Sequence, residues 1–223
     1  MADPGEQVYT LNPLPTHLWQ LDHAAKVTVG DHEQEAYNDM GCGAFSTSIA
    51  LSVFAPQRAT LQAATSLYQR MRKVPFMRGT WEGENARLAL EDGYVAANLS
   101  DGTPAELANL VKLNAPAVLN INPRRFLAVV QYGAHDVALA GYSSDAGGAV
   151  AKIFVLDPWR ETGNGSVGGH EDYPGNRYFV TGPQEGEQLS AIWTRTFTPI
   201  FRDAAQAREW LAMHPNRAAS FKF

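Results

Sequence analysis

The stretch NDMGCGAFSTSIALSVFAP, residues 38–56, holds the chain's one cysteine, Cys42, between Gly41 and Gly43. Phe45, Ile49 and Val53, with Ala50 and Phe54, recur at the spacing of a helix face. Pro56 stops that helix, because proline has no N–H and its ring clashes with the preceding turn. The spacing predicts a small-residue helix with Cys42 at its N-terminus. Unpaired backbone N–H groups and the helix dipole stabilise a thiolate at such a place. A free cysteine is equally among the residue types most often buried in cores. Cys42 alone does not separate a nucleophile from a small core residue, so the remainder of the chain has to.

The chain has 223 residues, 45% of them hydrophobic and 18% charged, with a formal net charge of −5. That length and composition describe an ordinary globular domain large enough to bury a core without staples. The acidic balance argues against a nucleic-acid or anionic-membrane binder, which needs a basic face. One cysteine excludes an internal disulfide and suits a reducing compartment. The start MADPGEQVYT has neither a basic region nor an apolar run, so no secretory signal and a cytoplasmic location are expected. Residues 44–55 are too short and too rich in serine and threonine to span a bilayer. No cysteine pair or His-x-x-x-His exists to hold zinc, and no phosphate-binding glycine loop with its lysine is present. No metal or other cofactor is expected.

Residues 1–37 read as an irregular arm, 38–114 as a helical half, and 115–223 as a β half closed by a helix, all in one domain. After the Cys42 helix, RATLQAATSLYQRMRK places Leu61, Ala64, Leu67, Tyr68 and Met71 on one side. GENARLALEDG reads as a short third helix ending at Gly93. In DGTPAELANLVKLN, Thr103 is a cap, Pro104 the first helical residue and Glu106 the third, the pattern of a capping box. From Pro116 onward the runs AVLNI, FLAVVQY, DVALAGY, VAKIFVLD, RYFVTG and LSAIWTRTFTPIF read as strands separated by turns. Asp203 caps a last helix through Met213. Helices first and an antiparallel sheet second is the α+β arrangement.

A nucleophilic thiol needs a base, and the base needs an orienting group. Of six histidines, His135 stands out, because it opens the strand HDVALAGY after a glycine turn. His17, His23 and His32 lie in the arm, His170 in a glycine-rich loop, and His214 after the last helix. Asp157 ends the strand AKIFVLD just before Pro158. If residues 136–142 and 150–156 form a hairpin centred on residue 146, His135 and Asp157 are cross-strand neighbours. Asp136 points to the other strand face and cannot replace Asp157. The competing reading of Asp157 is a turn cap ahead of proline.

A glutamine, then Gly-Cys-Gly opening a helix, then His-x-x-x-x-x-Gly-Tyr, then Asp-Pro is the pattern these islands make, over residues 34–159. It resembles the papain-like C39-type peptidases, in particular their C39-like branch of free-standing bacterial proteins. The resemblance implies a papain-like fold, with the Cys42 helix packed on the antiparallel sheet. It places Cys42 on the nucleophile, His135 on the base and Asp157 on the orienting acid. Gln34, eight residues before Cys42, falls on the oxyanion-hole glutamine, with Asn38 the next candidate. Gly141, Tyr142 and Pro158 match as framework. The chain departs from the usual pattern in GCGAFSTS, and its sequence after Trp159 matches nothing in the family pattern. The implied activity is thiol-dependent hydrolysis of peptide or isopeptide bonds in a peptide or protein substrate. Acyl transfer on the same triad, as in phytochelatin-synthase-like relatives, and a papain-fold binding module without turnover are the alternatives.

Overall fold

The structure, a computed structural model, describes residues 5–18, 26–29, 32–35, 41–71, 83–122, 134–158, 177–181, 190 and 193–223. Residues 26–29, 32–35 and 177–180 are described as strands only. The helix predicted around Cys42 is α1, Cys42–Leu51, and every residue from Gly43 to Leu51 is buried. A helix buried on all sides must satisfy any polar side chain it carries. Ser46 donates through Oγ to the Asp136 carbonyl at 2.8 Å, and Thr47 to Asn85 Oδ1 at 3.1 Å. Ser48 donates to the Arg58 carbonyl. The hydroxyls that make the helix look polar in sequence thus tie it to three neighbours.

The next two helices follow the sequence reading. Thr60 caps α2, Leu61–Arg70, by accepting from Ala63 N–H, and Ala64, Leu67 and Tyr68 form its buried side. Helix α3 spans Glu84–Glu91, with Gly83 at φ +83° ahead of it, a conformation that glycine adopts without strain. Arg58 and Arg70 both reach the Asp92 carboxylate at the end of α3, at 2.7 and 2.8 Å. Helix α4, Pro104–Lys112, carries the complete Thr103–Glu106 capping box. The last helix, α5, spans Ala204–Met213, and Asp203 accepts from the N–H groups of Ala205 and Gln206.

Nine strands are described: β1 Gln7–Thr10, β2 Lys26–Val29, β3 His32–Glu35, β4 Val95–Ala96, β5 Ala117–Ile121, β6 His135–Ser144, β7 Val150–Leu156, β8 Arg177–Val180 and β9 Trp193–Phe201. Seven form one sheet in the order β4-β9-β5-β6-β7-β8, with β1 also paired to β6, and every pairing is antiparallel. Strands β2 and β3 form a separate ribbon. The arm expected to be irregular therefore contributes three strands. Strand β1 escaped because all four of its residues are exposed, which leaves no apolar alternation to read. The run FLAVVQY lies outside the described residues.

Alternation along the sheet sorts the core into two layers. Leu119, Val137, Leu139, Ile153, Val155 and Phe197 face Leu107, Leu110 and Trp210 from α4 and α5. Val118, Ala138, Ala140, Phe154, Leu156 and Ile200 face Ile49, Ala50 and Leu51 of α1 and Ala86 and Ala89 of α3. The sheet is covered on both sides, and α4 shares the far side with α5. A third cluster of Ala44, Phe45, Leu67, Tyr68 and Leu88 packs α1 against α2 and α3.

Strand β6 is the spine. Of its ten residues, the stretch from Ala138 to Ser144 pairs with β7 on one edge. The other edge is shared: β5 takes His135–Ala138, and β1 takes Gly141–Ser144. That sharing explains Gly141-Tyr142. A Cβ on Gly141 would lie 2.4 Å from the Tyr9 carbonyl oxygen, a clash with backbone. Tyr142 stacks on Tyr9 with ring centroids 4.7 Å apart and planes 9° from parallel. Gly141→Ala is expected to destabilise by about 1–3 kcal/mol through overpacking against backbone. Urea unfolding monitored by circular dichroism checks this, and an unchanged midpoint would contradict it.

Candidate active site

Cys42 is the first residue of α1, and Gly41, its N-cap, has no side chain to bond the first-turn N–H groups. The first helical hydrogen bond runs from Phe45 N–H to the Gly41 carbonyl at 2.9 Å, so the Cys42, Gly43 and Ala44 N–H groups have no partner within the helix. Gly43 is needed for approach: a Cβ there would lie 3.1 Å from Asp136 Oδ2 and 3.2 Å from Asn85 Oδ1. Cys42 itself is partly exposed, unlike the helix behind it. A small core residue would be buried, so the bland reading of the thiol loses ground.

His135 is the first residue of β6 and pairs with Ile121 of β5. It is buried, with 4% of its surface exposed, and Asp157 is fully buried. His135 Nε2 lies 2.8 Å from Asp157 Oδ1. The Cys42 side chain is within hydrogen-bonding reach of the same imidazole. Asp136 is held elsewhere, accepting from Asn85 and Asn120 amides at 3.0 Å each, as strand alternation requires. The structure thus brings Cys42, His135 and Asp157 together.

The hairpin that joins His135 to Asp157 forms as expected, with one correction of register. Asp145 builds the turn: its Oδ1 accepts from the N–H groups of Gly147 and Ala149 at 2.9 Å, and Gly148 takes φ +83°. Ser144 pairs with Val150, so the hairpin centres on Gly147, one residue later than residue 146. Two irregularities in the ladder offset each other, and Ala138 pairs with Leu156. One step further along, Asp157 comes level with Val137, not with His135. His135 and Asp157 therefore meet diagonally, one same-face step apart, within reach of long side chains.

Electrostatics set the charge of this group. Burial alone would push the His135 imidazole down, but the Asp157 carboxylate, by charge and hydrogen bond, and Cys42 carry it up from 6.5 to about 10. His135 is the imidazolium across the neutral range. A raised value means that the pair stabilises the fold fully below 6.5 and loses that contribution as pH climbs through about 10.

Sequence reasoning missed His17. Its Nε2 lies 2.8 Å from the Asp157 backbone carbonyl. Nothing in NPLPTHLWQ marks it, because the contact joins residues 140 positions apart. Of the predicted oxyanion donors, Gln34 sits in β3 opposite Val27, and its side chain is outside the described atoms. Asn38 lies outside the described residues. Among the described residues, no group of three or more His, Cys, Asp or Glu could hold a metal ion, and no helix is long and apolar enough to cross a membrane.

A central buried helix, led by a cysteine and laid on an antiparallel sheet that supplies the histidine and aspartate, defines a papain-type α+β protein. The chain belongs to the C39-like peptidase family: the model of that family, described as Peptidase C39 like, matches residues 19–178. Among solved structures, a candidate C39-like peptidase from Bacillus anthracis superimposes with a TM-score of 0.56 at 16% identity. The match covers 88% of this chain and 98% of that one, and at this identity it speaks for the fold. No curated protein matches the chain.

Replacing Asp157 by Asn removes the charge that holds His135 protonated while keeping the side-chain shape. In the wild type, the rate of Cys42 alkylation is expected to show an upper step near pH 10, where His135 deprotonates. In Asp157→Asn only Cys42 still opposes the effect of burial, so the step is expected to fall well below pH 10. An upper step unmoved by the substitution would contradict this coupling.

Proposed function

We propose that the chain hydrolyses peptide or isopeptide bonds with Cys42 as nucleophile, His135 as acid and base, and Asp157 as the orienting carboxylate. The observation that carries this reading is the His135 imidazole held at 2.8 Å by a buried carboxylate, with the Cys42 thiol within reach. A buried ion pair is a poor way to gain stability, since well-packed apolar residues do as well or better by about 1–4 kcal/mol. Perturbed titratable groups beside an accessible thiol are better explained by chemistry.

In this mechanism the Cys42 thiolate attacks the scissile carbonyl carbon and forms a tetrahedral oxyanion. The Cys42 backbone N–H is one donor to that oxygen, and the Gln34 amide is assigned as the second, from its place eight residues ahead. The imidazolium of His135 gives its proton to the leaving nitrogen, the C–N bond breaks, and an acyl-thioester remains. His135, now neutral, takes a proton from water as the water attacks the thioester. Release of the carboxylic acid restores the thiolate–imidazolium pair. Asp157 stays ionised throughout and fixes the imidazole orientation.

Because Cys42 is the only thiol, intact-mass measurement of iodoacetamide labelling reports on one atom. The folded wild type is expected to label at about pH 6 faster than a model thiol, whose thiolate fraction there is below about one per cent. His135→Ala should bring the rate towards that of the model thiol. Protection in the folded state, with labelling only after unfolding, would contradict the reading. Once a substrate is found by peptide-library digestion, Cys42→Ala should leave only the uncatalysed rate. Gln34→Ala should then lower turnover by about a hundredfold. Full activity in Gln34→Ala would move the second oxyanion donor to Asn38.

A further inference from the structure

We propose that His17 is a positioning residue for the active site, one that holds the Asp157 backbone carbonyl and thereby fixes where the Asp157 carboxylate points. The proposal rests on Asp157 acting as the orienting group of the triad.

The need for such a tether follows from the strand. The ladder between β6 and β7 ends at Ala138–Leu156, and among the described residues Val155–Arg177 is the last pair between β7 and β8. Asp157 is one residue past the ladder with β6, and Pro158 has no N–H with which to extend it. Its side chain nevertheless has to hold His135 at 2.8 Å in a buried site. A small rotation of the Asp157 backbone would swing the carboxylate away. The contact from His17 Nε2 to the Asp157 carbonyl, 2.8 Å long, restrains that rotation.

His17 is itself held from several directions. Leu11 N–H bonds the Ala140 carbonyl of β6 at 3.0 Å, and Leu11 is buried. Thr16 N–H bonds Ser52 Oγ, just past the end of α1, at 2.9 Å. Leu18 packs on both apolar clusters that border α1. Residues 11–18 therefore run as a strap from the sheet to the nucleophile helix, with His17 placed where the strap passes the end of β7.

Charge supports the same assignment. A carbonyl oxygen only accepts, so His17 Nε2 carries the hydrogen. Burial pushes the His17 imidazole down to about 4, against the opposing effect of the Asp157 carbonyl and carboxylate. His17 is thus a neutral donor to the backbone at neutral pH and does not compete as a cation for the carboxylate. The one aspartate is served by two histidines in opposite charge states, His135 on its side chain and His17 on its main chain.

The test compares the wild type with His17→Phe, His17→Gln and, as a strap control, Ser52→Ala. Melting temperature and the upper pH step of Cys42 alkylation are measured on each. His17→Phe is expected to lower the step by about one pH unit or more, as the carboxylate loosens from His135. His17→Gln, which keeps an N–H donor, should largely restore it. Ser52→Ala should lower the melting temperature and leave the step in place. A His17→Phe variant that loses melting temperature alone, or a glutamine that restores nothing, would overturn the proposal. Should His17→Phe not fold, imidazole nitrogen NMR of the wild type decides. The expected signals are an Nε2–H tautomer that stays neutral down to about pH 4. Ordinary titration near 6.5 would overturn the contact. A wild type without enhanced alkylation would overturn the catalytic reading, and this proposal with it. Enhanced alkylation that the His17 variants leave unchanged would overturn this proposal alone.

Discussion

A carboxylate and an imidazolium buried together set the terms for the architecture around them. Asp157 is fully buried, and His135 nearly so, with 2.8 Å between Oδ1 and Nε2. Removing either partner from such a pair leaves an uncompensated charge and costs about 3–5 kcal/mol. The two residues must therefore stay in register, and each is fixed by its strand. His135 is pinned by β5 through Ile121, and Asp157 follows the last ladder pair of β7. The Asp145 turn joins the strands, and β1 stiffens the distal half of β6 through Gly141 and Tyr142.

The nucleophile helix meets this frame through polar contacts as much as apolar ones. Apolar packing alone leaves a smooth helix free to slide or rotate by small amounts. The hydroxyls of Ser46, Thr47 and Ser48 bond β6, α3 and the turn at Arg58, and these directional bonds fix the rotation of α1. Asp136, next to His135 in the chain, completes the junction by accepting from Asn85 and Asn120. Gly43 and Asp136, each next in the chain to a residue of the site, are among the places where helix and sheet meet.

Much of this was legible in the sequence, for local reasons. The Thr103–Glu106 capping box, the Asp203 cap and the face of α2 are patterns within a few residues, and they formed as read. The Asp145 hairpin was legible as well, but its centre depends on one side chain accepting two N–H groups, so the register came out diagonal rather than direct. Strand β1 was not legible: its four exposed side chains carry no apolar alternation, and its partner strand lies far away in the chain. His17 was hidden for a different reason. Its partner is a main-chain carbonyl, which leaves no residue type in the sequence to signal the contact.

The charge state of His135 is where geometry and chemistry meet, and nitrogen NMR of the histidine-labelled protein at pH 8 reads it directly. An ordinary imidazole is neutral there. The structure predicts both His135 nitrogens protonated at pH 8, with the charge lost only near pH 10. A His135 that is neutral at pH 8 and titrates near 6.5 would contradict the buried Asp157 pairing, and with it the thiol chemistry assigned to Cys42.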